Sequence, residues 1–229
     1  MSTLPRLLVS WSSGKDSAWM LHVLRQSGAW NIGALLTTTN EAFGRVAMHA
    51  VRRELLQAQA GAAGLPLIEV PLPWPCSNEE YERRMAAATR RAVADGYTHM
   101  AFGDLFLEDI RAYREQKLAG SGLTPVFPLW LRPTATLARE MIAGGLRARL
   151  TTVDPRVLDR RFAGREFDAA LLAEIGDAVD PCGERGEFHS FAYDGPMFSE
   201  PIAIDPGDVV ERDGFVFADL LPRRAEAHA

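Results

Sequence analysis

Hydrophobic and polar positions along the first two thirds of the chain follow two alternating patterns. Short, nearly continuous apolar runs are typical of strands buried on both faces of a sheet. Such runs occupy 6–11, 32–39, 66–72, 97–105, 124–130 and 146–154. Between them, apolar residues recur every three or four positions, which predicts amphipathic helices. One helix is expected to begin after Ser77, because Glu80 follows three residues later in a capping-box pattern.

This alternation predicts a doubly wound α/β fold with a parallel, Rossmann-like sheet of six strands. The segment from 45 to 64 is expected to form one of its helices, with Val46, Ala50 and Val51 on the core face. Ligands bind such sheets beyond the carboxyl ends of the strands, where the strand order reverses. Three segments follow strand ends and are candidate sites: 12–17, 37–41 and Gly103–Asp104.

The pattern changes after Asp154, where short strand-like pieces with Pro and Gly turns replace the regular alternation. We therefore predict a larger α/β domain over 1–154, which carries the three candidate sites, and a small C-terminal α+β lobe over 155–229. Because the lobe is short, we do not expect it to fold independently of the rest of the chain.

Composition and charge narrow the class of protein. The formal net charge is -5 and the pI about 5.6, so a broad nucleic-acid-binding surface is not expected. The two cysteines, Cys76 and Cys182, form no C-x-x-C pair, which disfavours a structural zinc site and fits a reducing compartment. No apolar run reaches the roughly 20 residues needed to span a membrane. We expect a cytoplasmic protein; a homodimer is compatible with the sequence, which leaves the oligomeric state open.

The segment at 12–17 indicates phosphate chemistry. It reads Ser-Ser-Gly-Lys-Asp-Ser between a buried strand and a helix. A Walker A loop would need glycine at position 9 and a hydroxyl at position 16, where the chain has Val9 and Asp16. Small residues still let backbone N–H groups approach a polyphosphate, and the helix N-terminus adds partial positive charge.

Ser12, Ser13, Gly14, Lys15, Asp16 and Ser17 together match S-x-G-x-D-S, and the segment resembles the signature of PP-loop ATP pyrophosphatases. The resemblance implies that this loop binds the pyrophosphate end of ATP and leaves the α-phosphate open to attack, which yields AMP and pyrophosphate. The two outer serines can donate hydroxyl hydrogen bonds, and Lys15 can neutralise phosphate oxygens. Asp16 can cap the helix or hold Mg²⁺ that bridges the phosphates.

Two further segments, at 102–118 and 180–198, resemble diphthine–ammonia ligases and their bacterial relatives. In the first, Arg111 and Glu115 lie one helical turn apart, as in that family. The second follows the family pattern C-G-E-x-G-E from Cys182 to Glu187, and Met48-His49 also resembles a family dipeptide. The family has glycine where this chain has Ser13.

The residues of the second segment also have a chemistry of their own. Glu184 and Glu187 can orient an amine or ammonia, or accept its proton, and His189 can act as a base near neutral pH. In a strand over 187–193, Glu187 and His189 would share one face. A turn with solvated glutamates and a surface histidine is the alternative. Cys182 is more readily a structural thiol than a nucleophile.

Together these observations predict an ATP-dependent, AMP-forming C–N ligase. A carboxylate acceptor would attack the α-phosphate, and ammonia or an amine would then displace AMP. The domain over 1–154 is expected to bind ATP, and the lobe over 155–229 is expected to bind the acceptor. Adenine is expected near Thr37 and Thr38, and Arg111 with Lys15 would stabilise phosphate charge. Two alternatives stay open at this point: a tRNA-modifying adenylating enzyme, which the acidic pI disfavours, and a nucleotide sensor without turnover.

Overall fold

The computed structural model describes residues 4–42, 45–46 and 51–223, and its centre is a mainly parallel sheet. The strands of this sheet are β1 (Arg6–Ser10), β2 (Asn31–Asn40), β3 (Arg45–Val46), β4 (Leu67–Leu72), β5 (His99–Ala101) and β6 (Thr124–Val126). The helices of the chain are α1 (Lys15–Ser27), α2 (Arg53–Ala63), α3 (Asn78–Ala94), α4 (Glu108–Leu118), α5 (Thr134–Ala143) and α6 (Ala169–Glu174). The α/β prediction is confirmed.

The order of the parallel strands is β4-β2-β1-β5-β6, and β3 pairs antiparallel with the end of β2. The chain runs outward from β1 through β2 to β4, then returns to β5 on the other side of β1. The strand order therefore reverses between β1 and β5. Ligands of doubly wound sheets bind at the carboxyl ends of the two strands flanking this reversal, which here lead into the loop at 11–14 and into Gly103.

The two faces of the sheet are covered by different helices. Leu7 and Val9 belong to the core with α1, α2 and α5, whereas Leu8 belongs to the core with α3 and α4. This alternation is the two-residue period of a strand buried on both sides. The cap predicted for α3 is present, since the Ser77 side chain accepts a hydrogen bond of 3.2 Å from the backbone N–H of Glu80.

A second, antiparallel sheet has the order β8-β7-β10-β9. Its strands are β7 (Arg147–Val153), β8 (Phe188–Asp194), β9 (Ile204–Arg212) and β10 (Phe215–Pro222). The run at 146–154, expected as the sixth strand of the parallel sheet, instead forms β7 of this sheet. An apolar run predicts burial and not the direction of the neighbouring strand, so the sequence assigned it to the wrong sheet.

The predicted division at 154/155 therefore falls between two strands that pair with each other, β7 and β8. The division into 1–154 and 155–229 stays a prediction about the units of the chain.

The helix expected from residue 45 begins only at Arg53. Arg45 and Val46 instead pair with Asn40 and Thr39 as β3. Ala50 and the Met48-His49 dipeptide lie outside the described residues. Within the described part of the chain, no helix combines the length and the hydrophobicity that a membrane span requires.

Candidate active site at the strand-order reversal

The loop after β1 is held in shape by its own hydroxyl groups. Ser12 Oγ lies 3.2 Å from Ser17 Oγ and accepts a hydrogen bond of 3.3 Å from the backbone N–H of Gly14. Ser17 Oγ donates to the Gly14 carbonyl at 2.9 Å. Gly14 is the N-cap of α1 and is extended there, with φ -82°. The loop therefore brings two serine hydroxyls to the N-terminal end of a 13-residue helix, where anions bind favourably.

Ser13 adopts the left-handed conformation, with φ 67°, and is fully buried. This conformation favours glycine and costs other residues about 1–3 kcal/mol unless the surroundings impose it. The surroundings do so through the Ser13 carbonyl, which accepts hydrogen bonds from Gln59 Nε2 at 2.9 Å and from the Ala192 backbone N–H at 3.0 Å. The loop is thus tied to α2 and to β8.

Lys15 lies almost completely buried beneath the loop, with 2% of its surface exposed. Its Nζ donates to Asp16 Oδ2 at 2.8 Å and to the Cys182 carbonyl, and it lies 5.1 Å from the ring centroid of Phe188. Burial opposes the lysine charge, but Asp16 and the acidic groups around it outweigh burial, so the pKa of Lys15 is raised. Burial also raises the pKa of Asp16 against the effect of Lys15. The loop thus carries a protonated lysine in a low-dielectric environment.

The residues after β5 approach the start of α1 closely. A Cβ on Gly103 would lie 3.3 Å from the Asp16 carbonyl carbon, which explains glycine at this position. Asp104 follows, and its Oδ2 lies 3.6 Å from Arg114 Nε, which is too far for a hydrogen bond. Burial raises the pKa of Asp104. The Asp104–Arg114 pair therefore faces the loop at 12–17 with unused hydrogen-bonding capacity. We call this loop the phosphate loop, after the chemistry that its sequence predicts.

Glu184 and Glu187, which the sequence treats alike, have different environments. Both oxygens of Glu187 accept backbone hydrogen bonds, from Asp180 at 3.0 Å and from Arg185 at 2.9 Å. Glu187 therefore closes the turn at 180–187. Glu184 instead points to the strand-order reversal, where the Leu105 N–H donates to its Oε1 at 2.7 Å. Burial raises the pKa of Glu184 to about 7.

His189 and Ser190 come from β8, across the cavity from α1. The Lys15 backbone N–H donates to Ser190 Oγ at 3.2 Å, so β8 contacts the phosphate loop directly. Burial, with a smaller effect from Lys15, lowers the pKa of His189 to about 4. His189 is consequently neutral at physiological pH. Burial raises the pKa of the Cys182 thiol, which keeps it protonated.

A cavity of about 230 Å³ joins these elements. Of the residues proposed from the sequence, those that line it are Ser12, Lys15, Asp16, Ser17, Gly103, Asp104, Glu184 and His189. Ser13 and Gly14 lie in the loop beneath it. The cavity thus combines residues far apart in the chain, as the sequence predicts for the carboxyl ends of neighbouring strands. Their individual roles stay predictions.

Besides Ser13 and Gly14, four of the proposed residues do not line the cavity. Arg111 pairs with Glu115 at 2.8 Å and packs over the rings of Phe127 and Trp130, both 4.8 Å away. Glu187 is in the turn described above. Thr37 and Thr38 lie within β2, opposite Glu69 and Val70 of β4.

Three residues with clear structural roles at the site were not proposed from the sequence. Arg114 lies one turn beyond Arg111 and lines the cavity, as does Ser190. Gln59 is fully buried and connects Trp11, Ser13 and Ala192. The sequence could have indicated this role, because Gln59 lies within an apolar helical stretch. A buried amide there needs hydrogen-bond partners from other parts of the chain.

Two carboxylate oxygens of the site are suited to a hard cation. Asp16 Oδ1 and Asp104 Oδ2 are both buried without a hydrogen-bond partner, and both residues line the cavity. Oxygen ligands of this kind are those that Mg²⁺ prefers, usually with substrate phosphates completing its coordination. Among the described residues no cluster of three or more His, Cys, Asp or Glu side chains could hold a metal alone. The site therefore fits a cation that arrives with a polyphosphate.

Comparison with known proteins agrees with this geometry. The diphthamide synthase N-terminal domain matches residues 5–124, and the diphthamide synthase C-terminal domain matches residues 133–217. Human diphthine–ammonia ligase is 34% identical over 103 residues, which are 43% of this chain and 39% of the human protein. The zebrafish (Danio rerio) protein of the same name is 34% identical over 121 residues, or 50% of this chain and 47% of its own.

The chain thus spans less than half the length of these curated relatives. The two domain matches nevertheless cover the phosphate loop, the Gly103–Asp104 segment and the turn at 180–187. The first alone covers more than half of the chain. This chain belongs to the diphthamide synthase family.

Proposed function

We propose that the protein is an ATP-dependent, AMP-forming ligase that makes a carbon–nitrogen bond. The observation that carries the proposal is the meeting of the Ser12–Ser17 loop with Asp104 and Glu184 in one cavity. The relatives named diphthine–ammonia ligase support ammonia as the nitrogen donor. The absence of paired cysteines and the acidic pI disfavour a sulfur-transferring tRNA enzyme.

The loop at 12–17 binds the pyrophosphate end of ATP. The hydroxyls of Ser12 and Ser17 and the first-turn N–H groups of α1 donate to phosphate oxygens. Lys15 adds a buried positive charge, which acts more strongly in this low-dielectric environment than it would in water. Adenine binds near Thr37 and Thr38, toward the end of β2.

Asp16 and Asp104 would hold Mg²⁺ when it binds together with ATP, and the ion would supply positive charge that neutralises the phosphates. Arg114 takes the place that the sequence gave to Arg111, because Arg114 lines the cavity. Its guanidinium stabilises negative charge that develops on the α-phosphate.

The reaction has two steps. A carboxylate oxygen of the acceptor attacks the α-phosphorus, the bond between the α-phosphorus and the bridging oxygen breaks, and pyrophosphate leaves with that electron pair. The nitrogen of ammonia or an amine then attacks the acyl carbon, and AMP leaves with the electron pair of the C–O bond. The nitrogen loses a proton in this second step.

Glu184 is suited to accept that proton. Its pKa of about 7 matches the requirement that a general base be substantially ionised near neutral pH and still bind a proton well. His189, with a pKa of about 4, is too weakly basic for this task and serves as a neutral hydrogen-bonding group. Glu187 acts on the site only by shaping the turn that carries Glu184.

The proposal is tested by identifying the products formed from ATP and Mg²⁺ with ammonium and a pool of cell-extract metabolites, using ³¹P NMR. We expect AMP and pyrophosphate, with formation stimulated by the pool. Formation of ADP and phosphate instead would contradict the proposal, and tight ATP binding without any turnover would favour a sensor.

The variant Asp16→Asn tests whether AMP formation takes place at this site. It should reduce AMP formation by at least a hundredfold, since one carboxylate that faces the phosphates loses its charge. Asp208→Asn is the matched control, because Asp208 is exposed on β9 and does not line the cavity, and it should leave the rate unchanged.

A further inference from the structure

A second cavity, of about 250 Å³, lies between α3 and α4 on the opposite face of the sheet from α1. Its inner wall is mainly apolar and includes Met85, Met100 and Leu118. Tyr81 of α3 and Tyr113 of α4 also line it, together with Lys117, whose Nζ is paired with Glu82 at 2.6 Å. None of these residues has a role in the phosphate cavity.

The two cavities share two lining residues, Phe102 and Arg114. The Arg114 guanidinium lies over the Phe102 ring, with its Cζ 5.0 Å from the ring centroid. Arg114 Nε is buried and has no hydrogen-bond partner. Asp104 Oδ2 lies 3.6 Å away, too far to accept a hydrogen bond from this N–H. A ligand group that accepts the hydrogen bond would therefore be favoured at this boundary.

Charge and size restrict what the second cavity can hold. Lys117 is paired with Glu82 in the lining, and Arg114 lies 3.6 Å from Asp104. Arg90 therefore leaves the lining with an excess positive charge, which favours an anion. Its volume is below that of pockets for drug-sized ligands, which start at about 300 Å³. A small apolar body with one carboxylate fits both the lining and the charge.

The order of the strands gives this cavity a position relative to the nucleotide. The phosphate loop follows β1, and β2 lies on one side of β1 while β5 lies on the other. If adenosine extends toward β2, the side of the α-phosphate nearest β5 is left for the acceptor. The second cavity lies on that side, because Met100 of β5 and Phe102, which follows β5, line it.

Resting on the function proposed above, we propose that the cavity between α3 and α4 binds the acceptor. The acceptor is a carboxylate with a small apolar body, and Arg114 orients its carboxylate toward the α-phosphate. Phe102 and the α3 wall then determine which acceptors are accepted.

The variant that tests the inference is Ala86→Phe, since Ala86 lines the cavity from α3 and a phenyl ring there would fill it. Ala87→Phe is the matched control, because Ala87 is the next residue of the same helix, is exposed and does not line the cavity. Ala119→Phe blocks the opposite wall and gives an independent test if Ala86→Phe fails to fold.

The probe is 3-phenylpropanoate, with binding to the whole chain measured by calorimetry. We expect measurable binding to the unmodified chain and to Ala87→Phe, and at least tenfold weaker binding to Ala86→Phe or Ala119→Phe, with ATP affinity unchanged in all four proteins. Absence of binding to the unmodified chain, or equal binding to the blocked variants, overturns the inference.

A second measurement separates this inference from the proposed function. Acceptor-stimulated AMP formation should fall at least tenfold in Ala86→Phe and stay unchanged in Ala87→Phe. If none of the proteins forms AMP, the ligase proposal fails even where the probe binds. If AMP forms equally in both variants, the ligase proposal stands and the acceptor assignment is wrong.

Discussion

The difference between Glu184 and Glu187 is a difference of solvation and hydrogen bonding, not of residue type. Glu187 is held by two backbone N–H groups, whereas Glu184 receives one and lies in a partly desolvated cavity beside other acids. Desolvation disfavours the charged carboxylate, and this raises the pKa of Glu184 toward neutrality. One glutamate is therefore a structural part of the turn, and the other is able to exchange a proton at physiological pH.

The pH dependence of the reaction should follow Glu184. Above its pKa of about 7 the carboxylate is ionised and can accept a proton, so we expect AMP formation to rise with pH through about 7. In Glu184→Gln this rise should be absent, and the rate at pH 8 should fall about 10²- to 10⁴-fold. The measurement is the rate profile from pH 5.5 to 9; an unchanged profile would assign the proton transfer elsewhere.

The raised pKa of Glu184 also makes the stability of the folded chain depend on pH, but stability falls with rising pH where activity rises. Because the folded pKa of Glu184 lies above the unfolded value of about 4.3, the folded state binds the proton more tightly, and stability falls as pH rises from about 4.3 through 7. Glu184→Gln should therefore be more stable than the unmodified chain at pH 8, by roughly 1–2 kcal/mol after allowance for its partial exposure. Thermal unfolding at pH 5 and pH 8 checks the sign.

At the scale of elements, Gln59 connects three separate parts of the chain. It accepts a hydrogen bond of 3.0 Å from Trp11 Nε1, and its own amide donates to the carbonyls of Ser13 and Ala192. Helix α2 therefore holds the phosphate loop and β8 in one arrangement. This network supports the left-handed conformation of Ser13, which a serine does not readily adopt alone.

Gln59→Leu should release that arrangement. The substitution leaves the buried Trp11 N–H without an acceptor and removes one donor from each of the Ser13 and Ala192 carbonyls, at a cost of about 2–4 kcal/mol. We also expect ATP affinity to fall about tenfold, since the loop loses its support. The control is Gln57→Leu, because Gln57 is exposed on the same helix. Equal unfolding temperatures for the two variants would contradict this role.

The sequence predicts the local segments of the site better than the way in which these segments pack against one another. The loop at 12–17 is recognised because its residues are contiguous and their spacing has a chemical reason. Arg111 and Arg114 lie on one short helix with a weakly amphipathic pattern, so the sequence does not indicate which of them faces β5. Packing against Phe102 and Phe127 decides this, and it requires the tertiary structure.

At the scale of the whole molecule, the two sheets are joined by ion pairs as well as by apolar packing. Asp219 of β10 accepts hydrogen bonds from Arg45 Nη1 at 2.9 Å and from Arg52 Nε at 3.1 Å. Burial opposes ionisation of Asp219, but the guanidinium groups of Arg52 and Arg45 outweigh it and lower its pKa. The pair of arginines thereby attaches the β3–α2 region to the second sheet.

Asp219→Asn should destabilise the chain by about 1–3 kcal/mol at pH 7, because partly buried, charge-assisted hydrogen bonds are lost. Since the folded pKa of Asp219 is lowered, this contribution is present above the unfolded carboxyl pKa and is lost as pH falls below it. Asp205→Asn is the control, because it removes a more exposed pair with Arg223 and should cost less than about 1 kcal/mol. Equal unfolding free energies at pH 7 would contradict the prediction.

The contacts between the second sheet and the loop at 12–17 also affect how members of this family are recognised from gene sequences. Lys15 donates to the Cys182 carbonyl, and its backbone N–H bonds to Ser190, so the signature at 12–17 is completed by atoms about 170 positions later in the chain. A gene fragment that encodes the signature but ends before β8 would lack Phe188, His189 and Ser190 of the cavity lining. Such a fragment would carry an intact signature and an incomplete site.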